Sequence, residues 1–323
     1  MVESTKNISD DVIRDDVAGG SRVKLGDSRY SGVRVVSAKV GFFSRIKEII
    51  SRRELLVFMV RKELSVRYRS SVMGLLWSMF NPALMLAVWY FVFQIVLKTT
   101  IPYFAIYLMS GLVAWNFFLG SVMTSTTAVV ENAAIVKKVA FPREVLALSK
   151  VGQSMVFFVF QLGVLLLAML LAGSLPAFSL LWLLILALID LVLFTSAISI
   201  FVSCLNVFYR DVQHFVEILT FAWFFGAPIV YSFSISLSNS LSKHHLTWLY
   251  LSDPMTPIIM TFQRVLYAKV SPHTIHGIVR VLPNYSPVWY LGVLALVFVA
   301  SLTLFLLSLL LFGRLEANFA EEL

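Results

Sequence analysis

Six stretches of this chain, roughly residues 72–97, 104–130, 151–172, 178–205, 212–233 and 288–312, are almost wholly apolar, and four of them carry no charged side chain. Crossing a hydrocarbon core of about 30 Å takes about 20 apolar helical residues, so each stretch is long enough to span. In lipid every backbone polar group must be satisfied inside the protein, which leaves helices or a closed barrel. The short alternating strands of a barrel do not occur in the pattern. The predicted fold is therefore all-α and polytopic, with six transmembrane helices. Composition bears this out, since 59% hydrophobic against 14% charged is too apolar for soluble domains built from 323 residues.

Charge sets the expected orientation. Of the 26 Lys and Arg, 15 fall in residues 1–71, beside the first apolar run. With both termini inside, 21 of the 26 lie on the cytoplasmic side, as the positive-inside rule requires. The formal charge of +8 thus reads as topology and contact with anionic membrane lipid, with no nucleic acid implied. The first 30 residues are polar throughout and lack the apolar core of a secretory signal, so the start of the chain is expected to stay in the cytoplasm. Residues 1–40 read as a disordered cytoplasmic tail. Cys204, the single cysteine, excludes an intrachain disulfide and reads as a small buried hydrophobe.

Between the tail and the first span, "FFSRIKEIISRRELL" puts Phe42, Phe43, Ile46, Ile49 and Ile50 on one helical face. This fits an amphipathic helix lying in the inner interface, or a short soluble helix packed on a partner. Between spans five and six, "DPMTPIIMTFQRVLYAKV" is too short and too polar to cross, and predicts a re-entrant or outer-face helix around Pro254, Pro257, Phe262 and Arg264.

Several segments carry candidate chemistry. "IVKKVAFPRE", residues 135–144, presents Lys137, Lys138, Arg143 and Glu144 beside Ile135, Val136, Val139 and Phe141, with Pro142 fixing a turn. It reads either as an ordinary basic inner loop or as a rigid knob that docks in a groove of another protein. Arg67, Tyr68 and Arg69 sit just before the first span, where two guanidinium groups either anchor the helix in headgroups or grip a diphosphate. At the inner turn "FYRDVQH", Arg210, Asp211, His214 and Glu217 are explained by helix capping, with a second partner contact or a hinge as the other reading. Asp190, in mid-span, is either a proton relay or a hydrogen-bonded helix contact. "HTIH" and the pair His244 and His245 lack Cys or clustered carboxylates, so no metal site is expected.

Four stretches in order, "VRKELSVRYRSSVMGLLWSMFNPALML", "AAIVKKVAFPREVLALSKV", "LNVFYRDVQHFVEILTFAWFFGAPIVYS" and "DPMTPIIMTFQRVLY", followed by the tail "GRLEANFAEEL", resemble the ABC-2 type permeases that export polysaccharides such as O-antigen, capsule and teichoic acid. The resemblance covers about residue 42 to the end, which makes 41–323 one transmembrane domain of that type. It implies a homodimer joined by two copies of a separate cytoplasmic ABC ATPase, with Ile135, Lys137, Lys138, Phe141, Pro142, Arg143 and Glu144 seated in a cleft of the ATPase. It implies a lipid-linked polysaccharide as cargo, with Arg67, Tyr68 and Arg69 receiving the lipid diphosphate. Trp77, Trp89, Tyr90, Phe224 and Tyr231 become candidates for a glycan path, because ring faces accept pyranose faces without demanding one hydrogen-bond pattern. For any one ring, lipid contact or helix packing is the plainer role. Localisation would be the plasma (inner) membrane, multi-pass.

No G-x-x-x-x-G-K-[ST] phosphate loop occurs in the sequence, so no cofactor is expected on this chain, and ATP and Mg2+ would act through the partner. Two rival functions are a membrane enzyme acting on lipid-linked sugars and a proton-coupled transporter built on Asp190. The first would need paired carboxylates at the membrane surface. The acidic pairs present, Asp10 with Asp11 and Asp15 with Asp16, fall in the polar tail.

Overall fold

The computed structural model describes residues 51–323 apart from 70, 72, 100, 140, 234–249, 271, 272, 275, 276, 279 and 280. The proposed tail 1–40 and most of the proposed interface helix 42–56 lie outside the described residues. In chain order the elements are α1 (Arg53–Arg67), α2 (Trp77–Tyr90), α3 (Phe104–Glu131), the single turn α4 (Ala133–Val136), α5 (Glu144–Leu171), α6 (Leu181–Phe208) and α7 (Val212–Gly226). Then come α8 (Met255–Leu266), the two-residue strands β1 (His273–Thr274) and β2 (Gly277–Ile278), α9 (Pro287–Leu315) and a last turn α10 (Phe319–Glu322). Apart from the antiparallel pairing of β1 with β2, all the regular structure described is helical.

Among the described residues five helices are long and apolar enough to cross a membrane: Trp77–Val96, Phe104–Glu131, Glu144–Leu171, Phe178–Phe208 and Pro287–Asn318. The first starts at Trp77 because a turn with Gly74 at φ +50, a left-handed conformation that favours glycine, separates it from α1. Past Tyr90 its ladder widens to a π-helix over Phe91–Val96, and Leu97 N–H reaches Val92 O at 2.8 Å. The third begins at Glu144, seven residues before the 151 expected from hydropathy, and so carries Glu144 and Lys150 into the helix. The last is opened by Ser286, whose hydroxyl accepts from Trp289 N–H, with Pro287 at the first helical position.

The predicted fifth span, 212–233, is helical only to Gly226. Ala227 is extended at ψ 146 because the ring of Pro228 disfavours a helical conformation in the residue before it. Fifteen residues rise about 22 Å, short of a full crossing by helix alone.

The core lies along α3, of which 19 of 28 residues are buried, packed between α5 and α6. Helix α6 pairs in turn with α9. No residue of α2 or its π extension is buried. Helix α8 is the reverse: every residue except Arg264 is buried, against α3 and α6. Gly111 permits that approach, since a Cβ there would stand 3.0 Å from Gln263 Nε2 and 3.3 Å from Ile259.

Hydrogen bonds sort the loops to two ends. At one, here the distal end, Tyr267 Oη donates to Pro102 O (2.8 Å), Ala177 N–H to Val265 O (2.8 Å), Gln263 Nε2 to Pro228 O (2.9 Å) and Tyr107 Oη to Tyr231 O (3.0 Å). Ser232 Oγ donates to Val281 O, which brings in the approach to α9. At the other, basal end, α1, the connection from α3 to α5, the end of α6 and the C-terminal residues share a second apolar cluster.

Candidate functional site

The connection from α3 to α5 is held on both sides and free in the middle. Asn132 ends α3 and turns its amide back, Nδ2 donating to Ala128 O at 2.8 Å, while Lys62 Nζ of α1 donates to its Oδ1 at 2.9 Å. Lys150, one and a half turns into α5, is 7% exposed and sits between two carboxylates, Glu63 of α1 at 2.6 Å and Glu131 of α3 at 3.2 Å. Thr127 Oγ1 donates to the same Glu131 at 2.6 Å. A buried ammonium is costly unless paired and hydrogen-bonded, and these acids supply both. The network joins α1, α3 and α5 at one point. Close packing supports it: a Cβ on Gly152 would stand 2.7 Å from Val60 of α1, so only glycine lets the helices approach this far.

Beyond the clasp, Val136 of α4 is buried, and Lys137, Lys138 and Val139 are exposed in the turn that follows. Ile135, Phe141, Pro142 and Arg143 are half-buried, Phe141 against the basal cluster, and Glu144 is buried at the start of α5. Arg143 Nη1 donates to Glu316 O at 2.6 Å, and its guanidinium lies 5.8 Å from the centroid of Phe319. The structure thus brings the predicted segment together as a seated loop whose exposed part is Lys137–Lys138–Val139, with Arg143 engaged inside the molecule. The acids and Lys150 that hold it drew no attention in the sequence. Charges flanking apolar runs were the available signal, but hydropathy assigned them to loops.

At the end of α1, the Arg67 guanidinium lies 4.5 Å over the ring of Phe157 in α5, and Tyr68 packs edge-on to the same ring at 6.2 Å. Tyr68 Oη also shares a hydrogen bond with Ser78 of α2. Arg67 and Arg69 are exposed. These three residues lie where α1, α2 and α5 meet.

The path candidates divide. Trp77 and Tyr90 are exposed on α2, and Trp89 packs on Phe93 at 5.6 Å. Phe224 of α7 packs on Trp115 of α3 at 5.7 Å, within a knot that includes Phe118, Phe194 and Trp223. Tyr231 Oη donates toward Gly226 O (2.9 Å) and Phe225 O (3.1 Å), satisfying carbonyls that the end of α7 leaves open.

At the distal end, Pro254 precedes α8, Pro257 and Phe262 are buried within it, and Arg264 is half-buried in its last turn. Asp253, unremarked in the sequence, caps α8 by accepting from Met255 N–H (3.2 Å) and Thr256 Oγ1 (2.9 Å), and also takes a hydrogen bond from Trp223 of α7. Burial raises its carboxyl above the ordinary aspartate range despite these donors. Lys269 lies 3.6 Å over the ring of Tyr103.

Asp190 is buried in α6, and its Oδ2 has no hydrogen-bond partner among the described residues. It shares a helical face with Phe194, which stacks on Phe118 of α3. Arg210, Asp211, His214 and Glu217 are all exposed at the turn into α7.

Long apolar helices bound at two ends, with the buried Lys150 and its two acids at one of them, define the class: a polytopic helical membrane protein. The ABC-2 type transporter family matches residues 54–267. Two proteins of Klebsiella pneumoniae, each named O-antigen export system permease protein RfbA, are 32% and 31% identical over 270 residues, covering 84% of this chain and 95% of theirs. A Myxococcus xanthus protein of the same name is 31% identical over 227 residues, 70% of this chain and 85% of its own. This chain belongs to the ABC-2 type transporter family. It is a transport subunit and not an enzyme, and membership of an ABC transporter family implies an ATPase partner.

Proposed function

We propose that this chain is the transmembrane permease of an ATP-driven exporter that carries a lipid-linked polysaccharide, of the O-antigen, teichoic acid, capsule or cell-wall class, from the cytoplasmic to the outer side of the plasma (inner) membrane. The basal end is the cytoplasmic one and holds both ends of the transmembrane domain. The chain enters and leaves at that end, so an even number of passages is needed; α7 and the residues after it make the sixth. Two copies of the chain pair, with the exposed apolar α2 available to a second copy, and two ATPase subunits that bind ATP and Mg2+ attach below.

The observation that carries this reading is the exposed Lys137–Lys138–Val139 turn mounted on a buried base. A cationic knob on fixed supports suits a cleft in another protein, whereas a loop serving topology alone needs no such mounting. Cargo headgroups would reach the membrane beside Arg67, Tyr68 and Arg69, whose guanidinium groups can pair bidentately with phosphate. The distal helix α8 would close the outer face. Reversing charge in Lys137→Glu with Lys138→Glu tests the central contact. The variant is expected to lose the companion ATPase on co-purification while remaining a folded, monodisperse membrane protein; full retention of the ATPase would overturn the reading.

A further inference from the structure

The C-terminal residues make a contact that a membrane-span topology does not need. Helix α9 ends at Leu315, and the chain tightens into a 3-10 turn over Glu316–Asn318 so that Phe319, fully buried, packs edge-on against Phe208 of α6 at 5.7 Å and Phe312 of α9 at 5.2 Å. The same apolar cluster contains Val136 on one side of the exposed turn and, packed against it, Phe141 on the other. Arg143 completes the join from the α5 side, across 173 residues of sequence, through its bond to the Glu316 carbonyl and its place over the Phe319 ring. The Glu316 carbonyl, which also accepts from Phe319 N–H, stands near the C-terminal end of this helical run, where a cation is favoured both as a hydrogen-bond donor and by the helix dipole.

We infer that Arg143 is a positioning residue: it locks the C-terminal segment under the Lys137–Lys138 turn, and this brace lets a push on the turn reach the transmembrane helices. The inference rests on the coupling role proposed above. Lys137, Lys138 and Val139 are exposed, so what fixes them in space is the anchoring of Val136 and Phe141 on either side. An unbraced loop yields to force, and the work done on it is lost as local bending. With Phe319 and Arg143 in place, the turn, α5, α6 and α9 share one packed base.

The test uses the full chain with its companion ATPase in lipid vesicles, with a fluorescent lipid-diphosphate oligosaccharide as probe. Arg143→Ala is expected to keep the ATPase bound, to lower the oligosaccharide moved per ATP hydrolysed by about tenfold, the scale of one lost charge-assisted hydrogen bond, and to speed tryptic cleavage at Lys137 and Lys138. Arg143→Lys, which can still donate to the carbonyl, is expected to recover part of both. Phe319→Ala should reproduce the loss, and the double variant should fall little further, because the two residues act as one unit. If Arg143→Ala does not fold, Arg143→Lys and Phe319→Ala carry the comparison. Unchanged transport per ATP in Arg143→Ala or Phe319→Ala, or loss of the ATPase from Arg143→Ala with unchanged cleavage, would overturn the inference and make Arg143 either idle or a direct partner contact. Failure of the coupling reading itself shows separately, as retention of the ATPase by the Lys137 and Lys138 reversals.

Discussion

Lys150 illustrates how much one side chain does at the basal end. Its two ion pairs are unequal: the Glu63 side chain is 14% exposed, whereas that of Glu131 is 53% exposed. The exposed pair is worth about 0–1 kcal/mol, so the Glu63 pair dominates. Replacing Lys150 by Met leaves the shielded Glu63 carboxylate with the looser Lys62 contact at 3.8 Å and is expected to cost about 3 kcal/mol in unfolding of the detergent-solubilised protein. Adding Glu63→Gln should return much of it, since the poorly compensated charge goes too. A Lys150→Met variant within about 0.5 kcal/mol of the parent, the ordinary range for a surface change, would contradict the clasp. None of this was legible one residue at a time. Lys150 and Glu63 are 87 positions apart, and a lone lysine beside an apolar run reads as a cytoplasmic anchor. Lys137 and Lys138 were legible because exposure is what a cationic pair in a short loop implies. Arg143 belongs to the same run of sequence, yet a long-range contact decides what it does.

At the level of elements, hydropathy located the long helices well and their ends less well. Helix α5 starts early because Lys150 and Glu144 enter it already neutralised or buried, which a residue-by-residue scale scores as exit from the membrane. Helix α7 stops early because Pro228 overrides an apolar pattern that continues beyond it. Helix α8 was legible from its mixed composition: Thr261, Gln263 and Arg264 exclude lipid on all sides, and burial against protein is the solution adopted. Asp253 joins α7 to α8 through Trp223 and Thr256, and this gives the pair a pH dependence. Its carboxyl titrates above the ordinary value of 3.8 because it is buried, so the folded protein favours the protonated acid. That contribution is complete below the ordinary value and is lost as pH rises through the raised one. Asp253→Asn keeps the capping oxygen but cannot ionise. As pH rises above about 4 the parent should therefore lose thermal stability relative to Asp253→Asn; a difference that does not change with pH would show that the carboxyl titrates normally.

For the whole molecule, class and family were legible from the apolar runs and the ordered motifs, because lipid permits so few backbone solutions. How the ends are fastened was not, since those contacts join distant parts of the chain: Arg143 to the C-terminus, α1 to α5, and the distal loops to one another. Under the proposed function this chain is a conduit with no engine of its own, driven through a small braced turn at its base. Reconstitution tests that claim most directly. Vesicles carrying the purified chain and a labelled lipid-diphosphate oligosaccharide are assayed with and without the companion ATPase and ATP. Movement of the label across the bilayer is expected only when both are present; movement by the chain alone, or cleavage of the oligosaccharide by it, would overturn the proposed function.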